Sequence, residues 1–354
     1  MKKSLETWTV NEVMSLYGIK SKTPLLNAEK AGRIPEAHRD SKNVRSWSLA
    51  DLPRIGASYG FIEKPKNFQF TSICTFTAKG GVLKTSMTLA LARIFALNGL
   101  KVLIVGNDPQ TSITQVITNP LIQNTSLDEL PSYKDLGSII FEGDSLEDVV
   151  QKTNIPTLDL LPETQDLKDI GDTMGTLAAL AANKGKSSDV KPRHQYFHDI
   201  LNPIIRRAGY DIAIYDNGPA LTTLSENALF ACDYWITPNG CDQGSYQVFE
   251  SNLNDVLAFA EDKNKSWKQI FLVPTVKEQT KLSMQIYGAY ISKFPNFVTE
   301  TAIRRTVKAQ EAFALGASPS EVFLKSDIGK DFADLALEIW KKIMTDQRGN
   351  SDGN

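Results

Sequence analysis

Two lysines, two glycines and two threonines lie within one short stretch, Phe76-Thr77-Ala78-Lys79-Gly80-Gly81-Val82-Leu83-Lys84-Thr85-Ser86. The order Lys-Gly-Gly-x-x-Lys-Thr suits phosphate binding. A loop of small residues turns backbone N–H groups toward an anion, Lys84 adds a point charge, and the Thr85 hydroxyl is a ligand type for Mg²⁺. As a loop of the form G-x-x-x-x-G-K-[ST] the stretch is irregular, because Ala78 and Leu83 occupy the two defining glycine positions. Two acids follow apolar runs further on: Asp108 after Val102-Leu103-Ile104-Val105-Gly106-Asn107, and Asp216 after Tyr210-Asp211-Ile212-Ala213-Ile214-Tyr215. An acid at the carboxyl end of a parallel strand is placed for ligand chemistry.

These residues need a scaffold, and its pattern is legible. A strand over about Phe70–Phe76 enters the loop, and a helix leaves it through Met87–Leu97 to a stop at Asn98-Gly99. Further strands are expected at Val102–Val105, Thr157–Leu161, Tyr234–Pro238 and Ile270–Val273, with a long helix from Gln243 to Ala260. Alternating strands and helices indicate a parallel sheet wrapped by helices. Pro120, Pro131 and Pro156 break residues 119–170 into short pieces, and the polar insert Asn183–Arg193 reads as a mobile surface loop.

The chain has 354 residues, 42% hydrophobic and 23% charged, ordinary for a soluble globular protein and enough for more than one domain. Cys74, Cys232 and Cys241 lack C-x-x-C spacing, which argues against zinc, iron–sulfur and disulfide frameworks and suits a reducing cytoplasm. Nothing approaches the roughly 18 apolar residues of a spanning helix, and Met1-Lys2-Lys3-Ser4-Leu5-Glu6 leads into no signal-like run. The net charge of −2 is unevenly spread. Residues 1–66 hold eight Lys and four Arg against five Glu and two Asp, a balance of +5 that leaves −7 for the rest. Such asymmetry points to a polyanion as partner of the basic segment.

That segment shows a short helix from Thr9 with Val10, Val13, Leu16 and Tyr17 at helical spacing, a break at Gly18, and a second helix over about Thr23–Ala31 that stops at Gly32. Helix, turn, helix is the outline of a DNA reader. After it come Arg33-Ile34-Pro35, a polar loop His38–Asn43, then Val44-Arg45-Ser46-Trp47 and a third helix from Ser48. This order resembles the winged-helix reader of MerR-type regulators. The resemblance implies that Lys22, Thr23, Asn27 and Lys30 face the major groove and that Arg39, Lys42 and Arg45 meet phosphates along the wing. Glu63-Lys64-Pro65-Lys66-Asn67 reads as the linker to a second domain, 67–354.

The loop, Asp-Pro-Gln at 108–110 and Asp216-Asn217-Gly218-Pro219 together resemble the deviant Walker A, switch I and Walker B–switch II segments of the ParA/MinD family of dimerising ATPases, most closely its larger plasmid-partition branch. The fold class implied is α/β, a P-loop NTPase with a deviant Walker A loop and a parallel sheet flanked by helices, preceded by a small winged helix-turn-helix domain. The cofactors implied are ATP or ADP and Mg²⁺. Residues Lys79, Gly80, Gly81, Val82, Leu83, Lys84, Thr85 and Ser86 would cradle the phosphates, and Thr85, Asp108 and Asp216 are the metal set. Asp108 would align the attacking water, and Lys79 would reach the nucleotide of a partner subunit, so that hydrolysis needs a homodimer. Pro274, in the loop expected after the strand Ile270–Val273, is the candidate for holding the adenine.

The resemblance extends to Thr301–Ala312, read as a late strand and helix. There Lys277, Arg304, Arg305 and Lys308, with Lys281, are candidates for non-specific contact with nucleoid DNA. A ParB-like centromere-binding partner, an operator DNA site and a cytoplasmic, nucleoid-associated location follow from the same likeness. Two other readings remain: a transcription regulator switched by ATP, and a MinD-like ATPase positioned on a membrane. For the second, a C-terminal helix over about Lys330–Met344 carries Phe332, Leu335, Ala336, Ile339, Trp340 and Ile343 on one face. Its acids Asp331, Asp334 and Glu338 suit packing on the core better than a membrane surface.

Overall fold

The computed structural model describes residues 5–122, 132–183 and 191–349. Most of the polar insert, the break expected at Pro131 and residues 350–354 lie outside them. The N-terminal unit comprises β1 (Thr7–Thr9), α1 (Val10–Tyr17), α2 (Lys22–Lys30), β2 (His38–Arg39), β3 (Arg45–Ser48) and α3 (Leu52–Tyr59). Its strands pair antiparallel in the order β1-β3-β2. Local chemistry explains its helices. Thr9 and Glu12 form a reciprocal capping box on α1, and Gly18 ends it with φ +67°. Ser21 caps α2, and Ser48 with Asp51 forms a second box ahead of α3. Trp8, Val13, Leu25, Ala28 and Trp47 form the interior.

The body follows with β4 (Thr71–Thr75), α4 (Lys84–Leu97), β5 (Val102–Asn107), α5 (Ser112–Ile122), α6 (Leu146–Val149), β6 (Gln151–Lys152), β7 (Leu158–Leu161), α7 (Leu167–Asn183), α8 (Asn202–Arg207) and β8 (Ile212–Asn217). It ends with α9 (Thr223–Ala231), β9 (Tyr234–Gly240), α10 (Gln243–Asp262), β10 (Gln269–Thr275), α11 (Lys281–Lys293), α12 (Val307–Ala314), α13 (Pro319–Val322) and α14 (Asp327–Gly349). Seven strands form one sheet in the order β10-β9-β4-β8-β5-β7-β6. All neighbours are parallel except the short edge strand β6.

Both faces of the sheet are covered, so the central strands are apolar throughout. Successive residues feed opposite cores. Ile73, Ile104, Ile212, Ile214 and Ile236 point to one side. Cys74, Leu103, Val105, Ala213, Tyr215 and Trp235 point to the other.

Three expectations need correction. Pro120 falls inside α5, which runs on to Ile122, and does not itself end the helix. Residues 301–305 form no strand: Arg304 makes a single bridge with Lys277. Side chains hold this segment, since Glu338 accepts from the amides of Glu300 and Thr301 and Asp331 accepts from Arg304. Pro274 lies inside β10, buried, and the following loop starts at Val276, so it is not a loop residue.

The N-terminal unit is seated directly on the body. A Cβ at Gly56 would lie 1.9 Å from the carbonyl oxygen of Leu97, the last residue of α4. The buried Tyr17 hydroxyl stands between the carbonyl oxygens of Leu52 and Leu97, at 2.7 and 2.9 Å. The six apolar residues of α14 named above are buried in the same core. A two-pronged buried ion pair, Arg93 to Glu321 at 2.7 Å for each bond, ties α4 to α13.

Candidate functional site

The loop between β4 and α4 is pinned at its entry and open at its centre. Phe76 donates its amide to Ile236 at 3.0 Å, its carbonyl accepts from the Trp235 indole, and the Thr77 hydroxyl donates to Asn239. At Gly80 and Gly81 an added Cβ would meet no atom within 4 Å, which leaves the backbone accessible to a ligand. Gly81 has φ +76° and Leu83 φ +67°. The second value explains why a glycine would be natural at position 83. A left-handed conformation costs an L-residue about 1–2 kcal/mol. Leu83 adopts it, and its side chain turns into the core beside α4 and not toward the loop interior.

Lys84 opens α4, is largely buried, and reaches back to the Lys79 carbonyl at 3.4 Å. Burial pulls its ammonium below the usual lysine range, while Asp216 and Asp108 act in the opposite sense. Asp216 ends β8 beneath this helix and is fully buried. One of its oxygens accepts from the Thr88 hydroxyl at 2.8 Å, and the other has no hydrogen-bond partner. Burial raises its carboxyl to about 6, against the influence of Thr88, Lys84 and Thr85. An unpartnered buried carboxylate oxygen beside a threonine hydroxyl fits a Mg²⁺ site, since oxygen donors are what this ion takes.

Asp108 follows β5, and its carboxylate accepts from the Gln110 amide at 3.0 Å. It also lies 3.1 Å from where a Cβ on Gly218 would stand, so the loops after β5 and β8 touch. Beneath them Asn107 donates to the Asn217 side chain at 2.7 Å. The two loops and α7 enclose a cavity of about 300 Å³ lined in part by Asp108, Pro109, Gly218 and Lys168. Lys79 lies across the site from this cavity. Its ammonium is 3.9 Å from the position of a Cβ on Gly244; the carboxyl of Asp242, the N-cap of α10, is held low against its burial by hydrogen bonds from the Ser245 hydroxyl and amide, with a smaller contribution from Lys79.

The structure therefore gathers Lys79, Gly80, Gly81, Lys84, Thr85, Asp108 and Asp216 around the carboxyl ends of β4, β5 and β8. Val82 is buried and Ser86 half-buried in the same turn. The DNA candidates are distributed differently. Lys22, Thr23, Asn27 and Lys30 lie along α2, away from the buried Leu25 and Ala28. Arg39 and Lys42 are exposed on the loop edge, but Arg45 is half-buried and paired with Glu29 at 3.2 Å. On the body, Arg304 is engaged by Asp331 and Asp327, Arg305 by Glu278, Lys277 by the Tyr287 ring at 3.6 Å and Lys308 by the Phe323 ring.

Sequence reasoning missed Thr88, Asn107, Asn217, Asp242 and the buried Glu163. Asp242 carried a readable signal, Asp-x-x-Ser ahead of a long helix. Thr88 sits one turn after Lys84, a spacing that marks a shared helix face. Glu163 had none, because its partners are remote in sequence.

Comparison with known proteins follows this geometry. Residues 70–269 match the family described as "AAA domain". SopA of Escherichia coli K12 is 28% identical over 256 residues, covering 69% of this chain and 61% of SopA. The virulence-plasmid ParA-family protein pGP5-D of Chlamydia psittaci is 23% identical over 282 residues, 78% of this chain and 96% of that one. An ATP complex of a Cyanothece McdA variant has the same fold, with a TM-score of 0.61, 18% identity, and coverage of 76% of this chain and 96% of that one. With its mostly parallel sheet and phosphate loop, the chain belongs to the AAA-domain family, among its ParA-like P-loop ATPases.

Proposed function

We propose that this protein is a DNA-partition ATPase that binds and hydrolyses ATP as a homodimer. The observation that carries the reading is the arrangement around Asp216, a buried carboxylate with one oxygen unpartnered, beneath a loop whose Gly80 and Gly81 are open. Lys84 and the loop amides would hold the phosphates, and Thr85 with Asp216 would hold Mg²⁺. The ion would supply charge neutralisation at the phosphates. Asp108 would align the attacking water, and the Gln110 amide donates to its carboxylate. Lys79 lies toward Asp242 within its own chain and would leave it to reach a partner's nucleotide. A relative named as a virulence-plasmid ParA-family protein and a structural neighbour solved as an ATP complex support this reading.

The exposed polar face of α2, the strand hairpin β2–β3 and the +5 balance of residues 1–66 support an N-terminal reader of an operator. Non-specific DNA binding in the ATP state and stimulation by a ParB-like partner belong to the same reading. A second reading, an ATP-switched transcription regulator, draws on the seating of the N-terminal unit against the far end of α4. The deciding experiment is ATP turnover by wild type, Lys79→Ala and Lys84→Ala, with and without non-specific duplex DNA. Removing one such charge contact costs about 100-fold or more in turnover. Both variants are expected to lose turnover to that degree, Lys84→Ala together with nucleotide binding. Unchanged turnover in both excludes the mechanism, and absent turnover in wild type with intact operator binding selects the regulator.

A further inference from the structure

Glu163 is a carboxylate with 2% exposure, two residues past the end of β7, and the proposed chemistry does not use it. Its surroundings are specific. One oxygen accepts from the Asp108 amide at 3.3 Å. The other accepts from the amides of Ile113 and Thr114, the unsatisfied first turn of α5, at 3.2 and 3.3 Å, and from the Thr114 hydroxyl at 3.4 Å. The Thr114 hydroxyl in turn accepts from the Glu163 amide at 2.7 Å. A single side chain thus holds both ends of the segment 108–114 from a neighbouring strand.

The strand between them accommodates it by an omission. β5 runs between β7 and β8, with Val105 opposite Leu161 and Gly106 opposite Asp216. A Cβ at Gly106 would fall 2.2 Å from the Glu163 Cγ. Any side chain at 106 would therefore grow into the volume that Glu163 fills. A short carboxylate from 106 would start in that same space, beside the same amides. Glycine at 106 and glutamate at 163 are two halves of one arrangement.

We propose that Glu163 is a positioning residue: by clamping the Asp108 amide and the first turn of α5, it sets where the Asp108 carboxylate stands over the phosphate loop. The consequence for turnover rests on the function proposed above, whereas the clamp itself does not. Glu163 touches no reacting atom. Its removal frees the segment after β5 and leaves the phosphate loop after β4 in place, so the rate falls while nucleotide affinity holds.

The test compares the full-length wild type with Glu163→Ala, Glu163→Gln and the double variant Gly106→Asp/Glu163→Ala. Hydrogen exchange across residues 106–116 reads the clamp, and kcat and KM for ATP read its consequence. Misplacing a catalytic group by about 1 Å costs up to about 100-fold in rate. Glu163→Ala is expected to exchange faster across 106–116 and to lose about 10-fold or more in kcat, with KM within about threefold. Glu163→Gln, which keeps one acceptor but turns an NH₂ toward a donor, falls between. The double variant recovers both protection and rate, which a general loss of stability would not allow. The proposal is overturned if exchange in Glu163→Ala is unchanged, if kcat and affinity fall together, or if a folded double variant recovers neither. Should wild type prove unable to hydrolyse ATP, the function proposed above fails, yet the exchange measurements still decide the clamp.

Discussion

Around the phosphate loop, polar groups stand without partners: an oxygen of Asp216, the side-chain oxygen of Asn107, and the open backbone at Gly80 and Gly81. On the basic surface between residues 277 and 308 four of the candidate cations instead have partners in their own chain, Arg304 with two aspartates, Arg305 with a glutamate, and Lys277 and Lys308 with aromatic rings. Buried groups left unsatisfied are costly, so a fold retains them where a ligand completes the set. Arg304 and Arg305, paired with carboxylates, project little field. The contrast marks the loop as the place where a ligand would complete the set, and of the proposed DNA contacts it favours the exposed Lys22, Lys30, Arg39 and Lys42 of the N-terminal unit.

Asp216→Asn gives the largest expected effect. Turnover should fall about 100-fold or more, as for loss of one charge-stabilising group. Ligand-free stability should move the other way. The Asp216 carboxyl lies at about 6 in the fold, above the roughly 3.9 of an unfolded chain. The folded state then binds more protons between these values, so its stability declines as pH rises through that window and stays lower above it. The Asn variant lacks this decline, which thermal unfolding between about pH 4 and pH 7 would read. A decline of equal size in both proteins would remove the idea of an unsatisfied carboxylate.

A smaller effect separates the two basic regions. If the wing meets phosphates, Arg39→Ala with Lys42→Ala should reduce the salt slope of operator binding by about 2, one unit for each contact. Arg304→Ala should leave the slope of DNA binding unchanged, because Asp331 and Asp327 already hold that charge. A slope lowered by Arg304→Ala would reverse the ranking of the two surfaces.

The smallest change is expected at Leu83→Gly. Relief of the left-handed backbone, worth about 1–2 kcal/mol, opposes the loss of a partly buried leucine, worth at most about 1.5–3 kcal/mol. The net change in unfolding free energy should lie within about 1 kcal/mol by denaturant titration. A large loss would show that Leu83 packing, and not loop geometry, governs the turn.

Much of the fold was readable, and the reasons are local. Thr9 with Glu12, Gly18 and Ser48 with Asp51 punctuate the N-terminal helices through contacts within a few residues, so their elements fell close to expectation. The strand expected in the first part of Thr301–Ala312 failed because Glu338 and Asp331, about thirty residues away, accept from the amides of Glu300, Thr301 and Arg304. Pro274 was misplaced for a related reason, since β10 continues past it alongside β9.

By itself the sequence determined the phosphate loop, the acids that follow β5 and β8, and the order in which strands and helices deliver them. Those features arise from spacing along a continuous stretch. Only the tertiary structure decided that Leu83 turns its side chain into the core, that Arg304 is occupied by α14, that the N-terminal unit rests on the end of α4, and that Glu163 fills the space left at Gly106. Each of these depends on which distant groups the sheet order brings within hydrogen-bonding or van der Waals range, and no local spacing encodes that proximity.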